Sequence, residues 1–203
     1  MPYVCGTFLL FTTWEIVVRP ETRLFLSRWL AKPTQVASLY PSSPKLSAHI
    51  AAKALRTSHE RVLYLGAGTG AVGAAMVLAG LPESQLVMVE LDANLCEHLR
   101  SAFPEALVLE GDALNPAALL PPEWAGQITT CVSGLPIVHY GVEKQRRFVE
   151  QVFSLMSEPR LVQYGNLPRP PIAHRQLGLA VKRLGFGWSG VVPHFIWEFR
   201  PNA

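Results

Sequence analysis

The chain has 203 residues, of which 49% are hydrophobic and 16% charged, and a formal charge of +3 at neutral pH. These values exclude a disordered chain and a collagen, and they fit one domain large enough to bury a real core. Cys5, Cys96 and Cys131 are odd in number and carry no CxxC spacing, which excludes a disulfide framework or a zinc site built from them and suits reduced cytoplasmic thiols.

The charge is unevenly spread. Residues 1–60 carry seven basic and three acidic side chains, residues 61–158 five and eleven, and residues 159–203 six and one. An acidic centre between basic arms suits a cation held in the middle and an anionic surface met at the edges, although surface patterning alone can produce it.

In chain order, residues 1–18 hold one charge, Glu15, among Phe, Leu, Val, Thr and Trp. No basic residue precedes the apolar stretch and no small-residue cleavage site follows, so it is a poor secretory signal. Gly6, Thr7, Thr12, Thr13 and Glu15 dilute it below the roughly 20 apolar residues of a spanning helix, leaving a strand or an interfacial segment. Over residues 22–32, helical spacing gathers Phe25, Leu26, Trp29 and Leu30 on one side, with Arg23, Ser27, Arg28 and Lys32 outside it. Such a helix lies well on an anionic membrane surface, and it packs equally well on its own domain. Ser43 as N-cap with Pro44 at the first helical position predicts a helix over 45–55.

From Arg61 onward strand and helix patterns alternate. Strands are predicted at 61–65, 85–89, 106–109, 127–132 and 160–164, and helices at 71–79, 93–102, 143–156 and 173–184, with a short one at 116–120. Two closing strands, 187–192 and 195–199, form a terminal antiparallel pair. Repeated βα units imply a mostly parallel seven-stranded sheet with helices on both faces, a Rossmann-like α/β fold. The organisation expected is an extension over 1–60 and a ligand-binding domain over 61–203.

The glycine run Gly66-Ala67-Gly68-Thr69-Gly70 falls between the first strand and the next helix. Alone it is weak, because dinucleotide enzymes use a similar turn. The following strand ends discriminate. Glu90 closes the second strand, where a carboxylate accepts ribose hydroxyls; Gly111-Asp112-Ala113 follows the third, where a carboxylate accepts from an adenine amine; Ser133-Gly134-Leu135-Pro136 follows the fourth.

In that order these motifs resemble the class I S-adenosylmethionine-dependent methyltransferases. The Pro41-Ser42-Ser43 entry, the Ser133-Gly134-Leu135-Pro136 loop, Arg169-Pro170-Pro171 and the closing run from Pro193 through Phe199 further resemble the bacterial phospholipid N-methyltransferases, over about residues 25–200. The resemblance implies N-methylation of the phosphatidylethanolamine headgroup, stepwise toward phosphatidylcholine, by a cytoplasmic enzyme peripheral to the inner membrane and facing anionic phospholipid. It implies S-adenosylmethionine as cofactor, held by Ser43, Gly66, Ala67, Gly68, Gly70, Glu90, Leu91, Asp112, Ala113 and Ser133.

The same family is similar to the ribosomal RNA adenine dimethylases, whose fourth loop typically reads N-L-P-Y. Ser133 stands where that Asn would be, and Val138-His139-Tyr140 departs from the apolar stretch expected next. Methylation of RNA adenine, with the basic arms on phosphates, is the alternative. The Trp- and Phe-rich arm and the lack of a separate RNA-binding domain argue against nucleic acid.

Methyl transfer from a sulfonium needs a neutral amine aligned with the methyl group, and it needs no metal. By family analogy the backbone carbonyls at Gly134 and Leu135 hold the amine. Tyr40 and Tyr140 are the side-chain candidates for catalysis, with Tyr164 and His139 close behind; a tyrosine ring also attracts a methylated ammonium. Lys45 and Arg169, and then His174 or Arg175, are candidates for a lipid phosphate. His49, His59, His98 and His194 show no metal-ligand spacing.

Overall fold

The computed structural model describes residues 44–57, 59–189 and 192–202. The predictions on residues 1–18, on the 22–32 helix, and on Tyr40 and Ser43 lie outside the described residues.

Helix α1 (Pro44–Ala54) precedes strand β1 (Val62–Leu65), and the chain then runs α2 (Ala71–Leu78), β2 (Leu86–Glu90), α3 (Ala93–Ala102), β3 (Leu107–Glu110), β4 (Thr130–Ser133), α4 (Val142–Ser154), β5 (Leu161–Gly165), β6 (Leu179–Ser189) and β7 (Val192–Pro201). The seven strands form one sheet in the order β3-β2-β1-β4-β5-β7-β6. Pairs among the first five are parallel, and β7 is antiparallel to both β5 and β6.

Strand composition explains the layering. All four residues of β1 are buried, as in a central parallel strand covered on both faces. Val62 and Tyr64 join a core with Ile50, Ala51 and Ala54 of α1, Met76 of α2 and Leu99 of α3. Leu63 and Leu65 join the opposite core with Phe148, Val149 and Val152 of α4. Asp92 starts α3 by accepting hydrogen bonds from the backbone N–H groups of Asn94 and Leu95 at 3.0 and 3.1 Å.

One predicted helix is not present. Residues 173–184 begin as a turn, and Gly178, at φ 63°, ends it in the left-handed region. Beyond it β6 runs from Leu179, with Leu179 and Val181 packed on the α4 side and Leu184 on the α1 side. The period is that of a strand, and the mixture of Leu, Ala, Val and Lys concealed it. The predicted strand at 127–132 is shorter than expected: only Ile128 bridges to Met156 before β4 begins at Thr130.

Arg160, buried just before β5, fastens α1 to the sheet. Its guanidinium donates to the Ala54 carbonyl, to the Lys53 carbonyl at 3.1 Å and to Thr130 Oγ1 at 2.9 Å, and it pairs with Glu198 of β7 at 2.6 Å. These bonds answer the unpaired carbonyls at the C-terminal end of α1. Among the described residues no helix is long and apolar enough to cross a membrane.

Candidate functional site

Registers align the carboxyl ends of the strands. Leu65 lies opposite Val89 and Ser133, Glu90 opposite Glu110, and Ser133 opposite Gln163. The Gly66–Gly70 loop, Glu90-Leu91, Gly111-Asp112 and the loop from Gly134 therefore emerge along one edge of the sheet, where ligands of open α/β sheets bind.

The glycine loop folds back on β2. Gly66 N–H and Ala67 N–H both donate to the Val89 carbonyl, at 2.9 and 3.1 Å. Gly70, at φ 81°, opens α2; a Cβ there would come within 2.7 Å of both Leu99 and Phe103. Only glycine satisfies this dihedral and this contact together. A Cβ on Gly68 would meet nothing within 4 Å, so at this point the backbone is open to an approaching ligand.

Glu90 organises the turn. Its Oε2 accepts from Gly68 N–H at 2.8 Å, and its Oε1 accepts from Leu91 N–H at 2.8 Å and Asp92 N–H at 3.1 Å. A carboxylate has about four acceptor positions, so one remains for a hydroxyl without disturbing the loop. Asp112 is exposed; its Oδ1 accepts from Leu114 N–H at 2.9 Å, and Ala113 beside it is buried. Leu91 is 52% exposed, an apolar side chain on the same rim as the carboxylates.

Past β4 the loop is tightly held. Buried Ser133 accepts from Leu135 N–H at 3.3 Å through its hydroxyl. The Leu135 carbonyl accepts from the Gln163 side-chain amide at 2.9 Å and from Ile137 N–H at 2.8 Å. Those two bonds occupy Leu135, and the Gly134 carbonyl takes part in neither.

A cavity of about 260 Å³ opens beside this loop. Gly134, Leu135, His139, Gln163, Tyr164, His194 and Trp197 line it, with Leu46 of α1. Tyr164 is hydrogen-bonded to Tyr64 through the two hydroxyls at 3.0 Å. Burial pushes the Tyr164 hydroxyl up to about 12, with the nearby Glu90 charge adding to it and the Tyr64 bond opposing, and burial raises Tyr64 as well. Both are neutral phenols at physiological pH, suited to hydrogen bonding and not to taking an amine's proton. Among the described residues, three buried polar atoms on lining residues have no hydrogen-bond partner: Gln163 Oε1, His194 Nδ1 and Trp197 Nε1. Unpaired buried groups are costly, and a polar guest in the cavity would give them partners.

The structure thus brings Gly134, Leu135, His139 and Tyr164 together at one cavity. It does not bring the other candidates there. Tyr140 stands outside the lining, with the Lys144 ammonium 4.2 Å from its ring centroid, so its aromatic face is already met by a cation. Lys45, Arg169 and Arg175 are exposed and line no part of it, and His174 Nδ1 lies 3.4 Å from the Ile172 carbonyl. Tyr64, Gln163, His194 and Trp197 were not singled out from sequence. The available signal was alternation: β5 and β7 each send successive residues to opposite faces, so a polar residue inside a buried strand is either paired or part of a site. Burial pushes the Cys96 thiol up to about 11 and raises Cys131 further, and neither is a nucleophile.

No protein-family model matches the chain. It is 32% identical over 137 residues to an ornithine lipid N-methyltransferase from Singulisphaera acidiphila, in an alignment covering 64% of this chain and 71% of that protein. The chain belongs to the class I S-adenosylmethionine-dependent methyltransferases, in one family with this lipid N-methyltransferase. Two solved structures share the methyltransferase's fold. The TehB-like S-adenosylmethionine-dependent methyltransferase of Corynebacterium glutamicum aligns with a TM-score of 0.56 at 15% identity, covering 88% of this chain and 96% of that one. The magnesium protoporphyrin IX methyltransferase of Synechocystis, solved with S-adenosylmethionine bound, aligns with a TM-score of 0.57 at 15% identity, covering 78% and 79%. The seven-stranded sheet with its antiparallel terminal pair is the fold expected from sequence, and S-adenosylmethionine is the methyltransferase's cofactor.

Proposed function

We propose that this methyltransferase transfers methyl groups to the amine of a membrane lipid headgroup, phosphatidylethanolamine being the acceptor. The observation that carries the reading is the 32% identity to a protein named for N-methylation of an amine-bearing lipid. The partly polar cavity of about 260 Å³ beside Gly134 supports it.

The residues along the sheet edge fit the cofactor. Gly68 leaves open space above the loop, Glu90 retains an acceptor position for a ribose hydroxyl, Asp112 is exposed where an adenine amine can donate to it, and Leu91 offers an apolar surface for the base. When bound, S-adenosylmethionine supplies a methyl carbon activated by a sulfonium. Gly66, Ala67, Gly70, Ala113 and Ser133 shape the crevice, and Ser43 is a further residue for the same cofactor. The Gly134 carbonyl accepts an amine N–H and so aims the nitrogen lone pair, while the neutral Tyr164 hydroxyl borders the acceptor. Holding the two reactants in line supplies about 7–11 kcal/mol of the barrier reduction. His139, Lys45 and Arg169 meet the headgroup phosphate or its neighbours, and Tyr40 acts on the acceptor amine. The 1–60 region docks on the inner leaflet through Phe25 and Trp29, and the 61–203 region carries the chemistry.

The test uses S-adenosylmethionine labelled on its methyl group, with vesicles of phosphatidylethanolamine, vesicles carrying an ornithine lipid, and ribosomal RNA. Label in phosphatidylethanolamine is expected. Label confined to the ornithine lipid moves the acceptor to that headgroup, and label in RNA alone overturns the lipid reading. Glu90→Ala is expected to weaken cofactor binding about 10- to 100-fold, the value of hydrogen bonds to a charged acceptor; calorimetry checks it, and an unchanged affinity removes Glu90 from the crevice. The double substitution Phe25→Ser with Trp29→Ser is expected to abolish co-sedimentation with anionic vesicles while leaving cofactor affinity intact.

A further inference from the structure

A sulfonium methyl group reacts with a neutral amine, whereas a lipid headgroup amine arrives as an ammonium. Each turnover therefore releases one proton, and neither the Tyr64–Tyr164 pair nor backbone carbonyls can accept it. We propose that His194 is the base that takes this proton and that His49 relays it toward solvent. This rests on the lipid-amine reading above.

The geometry is specific. His194, on β7, is 3% exposed and lines the same cavity as Gly134 and Tyr164. Its Nε2 lies 3.1 Å from Nδ1 of His49 on α1, the rings meeting edge to face with centroids 5.3 Å apart. His194 Nδ1 is buried and has no partner among the described residues. If His194 Nε2–H donates to His49 Nδ1, the unpartnered atom is a bare lone pair, the arrangement native structures tolerate more often than an orphaned N–H. His194 thus lines the cavity with one ring nitrogen unengaged, while the other nitrogen is wired to a second imidazole that is only half-buried.

β6 makes room for this pair. A bulge between Arg183 and Gly185 resets the register so that Gly185 lies opposite Ile196 and Gly187 opposite His194. A Cβ on Gly187 would come within 2.8 Å of the His194 ring, and one on Gly185 within 2.8 Å of His49 Nε2. Alternate glycines past the bulge, at 185 and 187, leave space for two imidazoles.

Both rings are neutral in the resting enzyme. Burial lowers the pKa of His49 and the Lys53 charge on the same helix adds to it; burial lowers that of His194 and the neighbouring His49 adds to it. From β6 the groups over the rings are glycines, and β7 sets apolar Phe195 and Ile196 beside His194. Among the described residues no carboxylate acts on the pair to hold a resting charge there.

The step balances. The substrate ammonium gives one N–H proton to His194 Nδ1 and keeps the electron pair. That pair forms the nitrogen–carbon bond as the carbon–sulfur bond breaks with its electrons passing to sulfur, leaving a methylammonium and a neutral thioether. The proton arriving at His194 Nδ1 drives the Nε2 proton across to His49 Nδ1, and His49 gives its own Nε2 proton to water, which leaves both rings as Nδ1–H tautomers. They return to their starting state when water re-protonates His49 Nε2, the His49 Nδ1 proton passes back to His194 Nε2, and the His194 Nδ1 proton leaves through the cavity after the product departs.

Two measurements on the full-length enzyme test the proposal. The first, nitrogen-15 NMR of the histidines, is independent of turnover: at pH 7 His194 is expected as the Nε2–H tautomer with bare Nδ1, and the opposite tautomer overturns the assignment. The second is a pH–rate profile with phosphatidylethanolamine vesicles and labelled S-adenosylmethionine. His194→Gln is expected to lower kcat/KM at pH 7 by about 10²–10⁴-fold and to recover by about tenfold per pH unit toward the amine's own pKa, because hydroxide-side deprotonation replaces the lost base. His49→Phe is expected to give a smaller loss with the same rising limb. A loss equal at every pH, with cofactor affinity preserved, would mark His194 as structural and overturn the relay. A wild-type enzyme that labels no lipid amine defeats the acceptor assignment instead, and the tautomer measurement still decides the state of the dyad.

Discussion

Gly134→Ala is expected to reduce kcat/KM for the lipid acceptor by about 100-fold or more, the cost of displacing a reacting group by about 1 Å, with cofactor affinity changed by no more than about twofold. Gly134 has no room for a side chain. A Cβ there would stand 2.3 Å from the Tyr164 hydroxyl oxygen and 2.6 Å from its ring carbon Cζ. Tyr164 would have to swing away, breaking its 3.0 Å bond to Tyr64 and entering the space where an amine would bind. The glycine loop and Glu90 are not touched, which is why binding and turnover should separate. Gly141→Ala is the control: Gly141 has an ordinary φ of −61°, and an added Cβ meets nothing within 4 Å. Steady-state kinetics beside calorimetry make the comparison, and equal losses in binding and turnover would remove Gly134 from the acceptor side.

The second large effect is on stability. Arg160→Leu is expected to destabilise the fold by about 3–5 kcal/mol, since removing one member of a buried ion pair strands the other. The loss has several parts. Among the described residues Glu198 would keep only Arg200 as an ion-pair partner, at 3.0 Å, Thr130 would lose a donor, and the carbonyls of Lys53 and Ala54 would face the core without the guanidinium. Burial pulls the Glu198 carboxyl upward, but hydrogen bonds from Arg200 and Arg160 together with their charges outweigh it and hold the carboxyl below its ordinary value of 4.5. A depressed carboxyl stabilises the fold above that value and loses this contribution as pH falls through the folded-state pKa. Urea denaturation is therefore expected to show the gap between wild type and variant widest near neutrality and narrowing below about pH 4.5. A gap independent of pH would mean that the Arg160–Glu198 pair contributes little and that lost packing dominates.

How far the sequence reveals this molecule depends on whether the controlling interaction is local. Glu90, Asp112 and Ser133 were placed correctly at strand ends because a buried βα unit writes its own boundaries: an apolar run, then glycine or acid, then a helix cap such as Asp92. The 93–102 helix was predicted to the residue for this reason. The 173–184 segment failed because Leu-Ala-Val-Lys-Arg-Leu has good helix propensity, and its strand state comes from pairing with β7, which lies later in the chain. The site divides in the same way. The glycine loop was legible because its motif is contiguous. The pairing of Tyr64 with Tyr164 joins residues 100 apart in sequence, and that of His49 with His194 joins residues 145 apart, so neither leaves any local pattern. Gly185 and Gly187 were the one trace, since glycines spaced by two within a strand mark the close approach of another group.

A crystal structure with S-adenosylhomocysteine and full-length protein measures most directly whether the crevice orients a methyl donor toward the amine cavity. The ribose is expected on Glu90, the adenine amine on Asp112, and the sulfur facing the opening lined by Gly134, Tyr164 and His194. Electron density for the adenosine elsewhere, or a sulfur turned away from Gly134, would contradict the arrangement on which methyl transfer to a lipid amine depends.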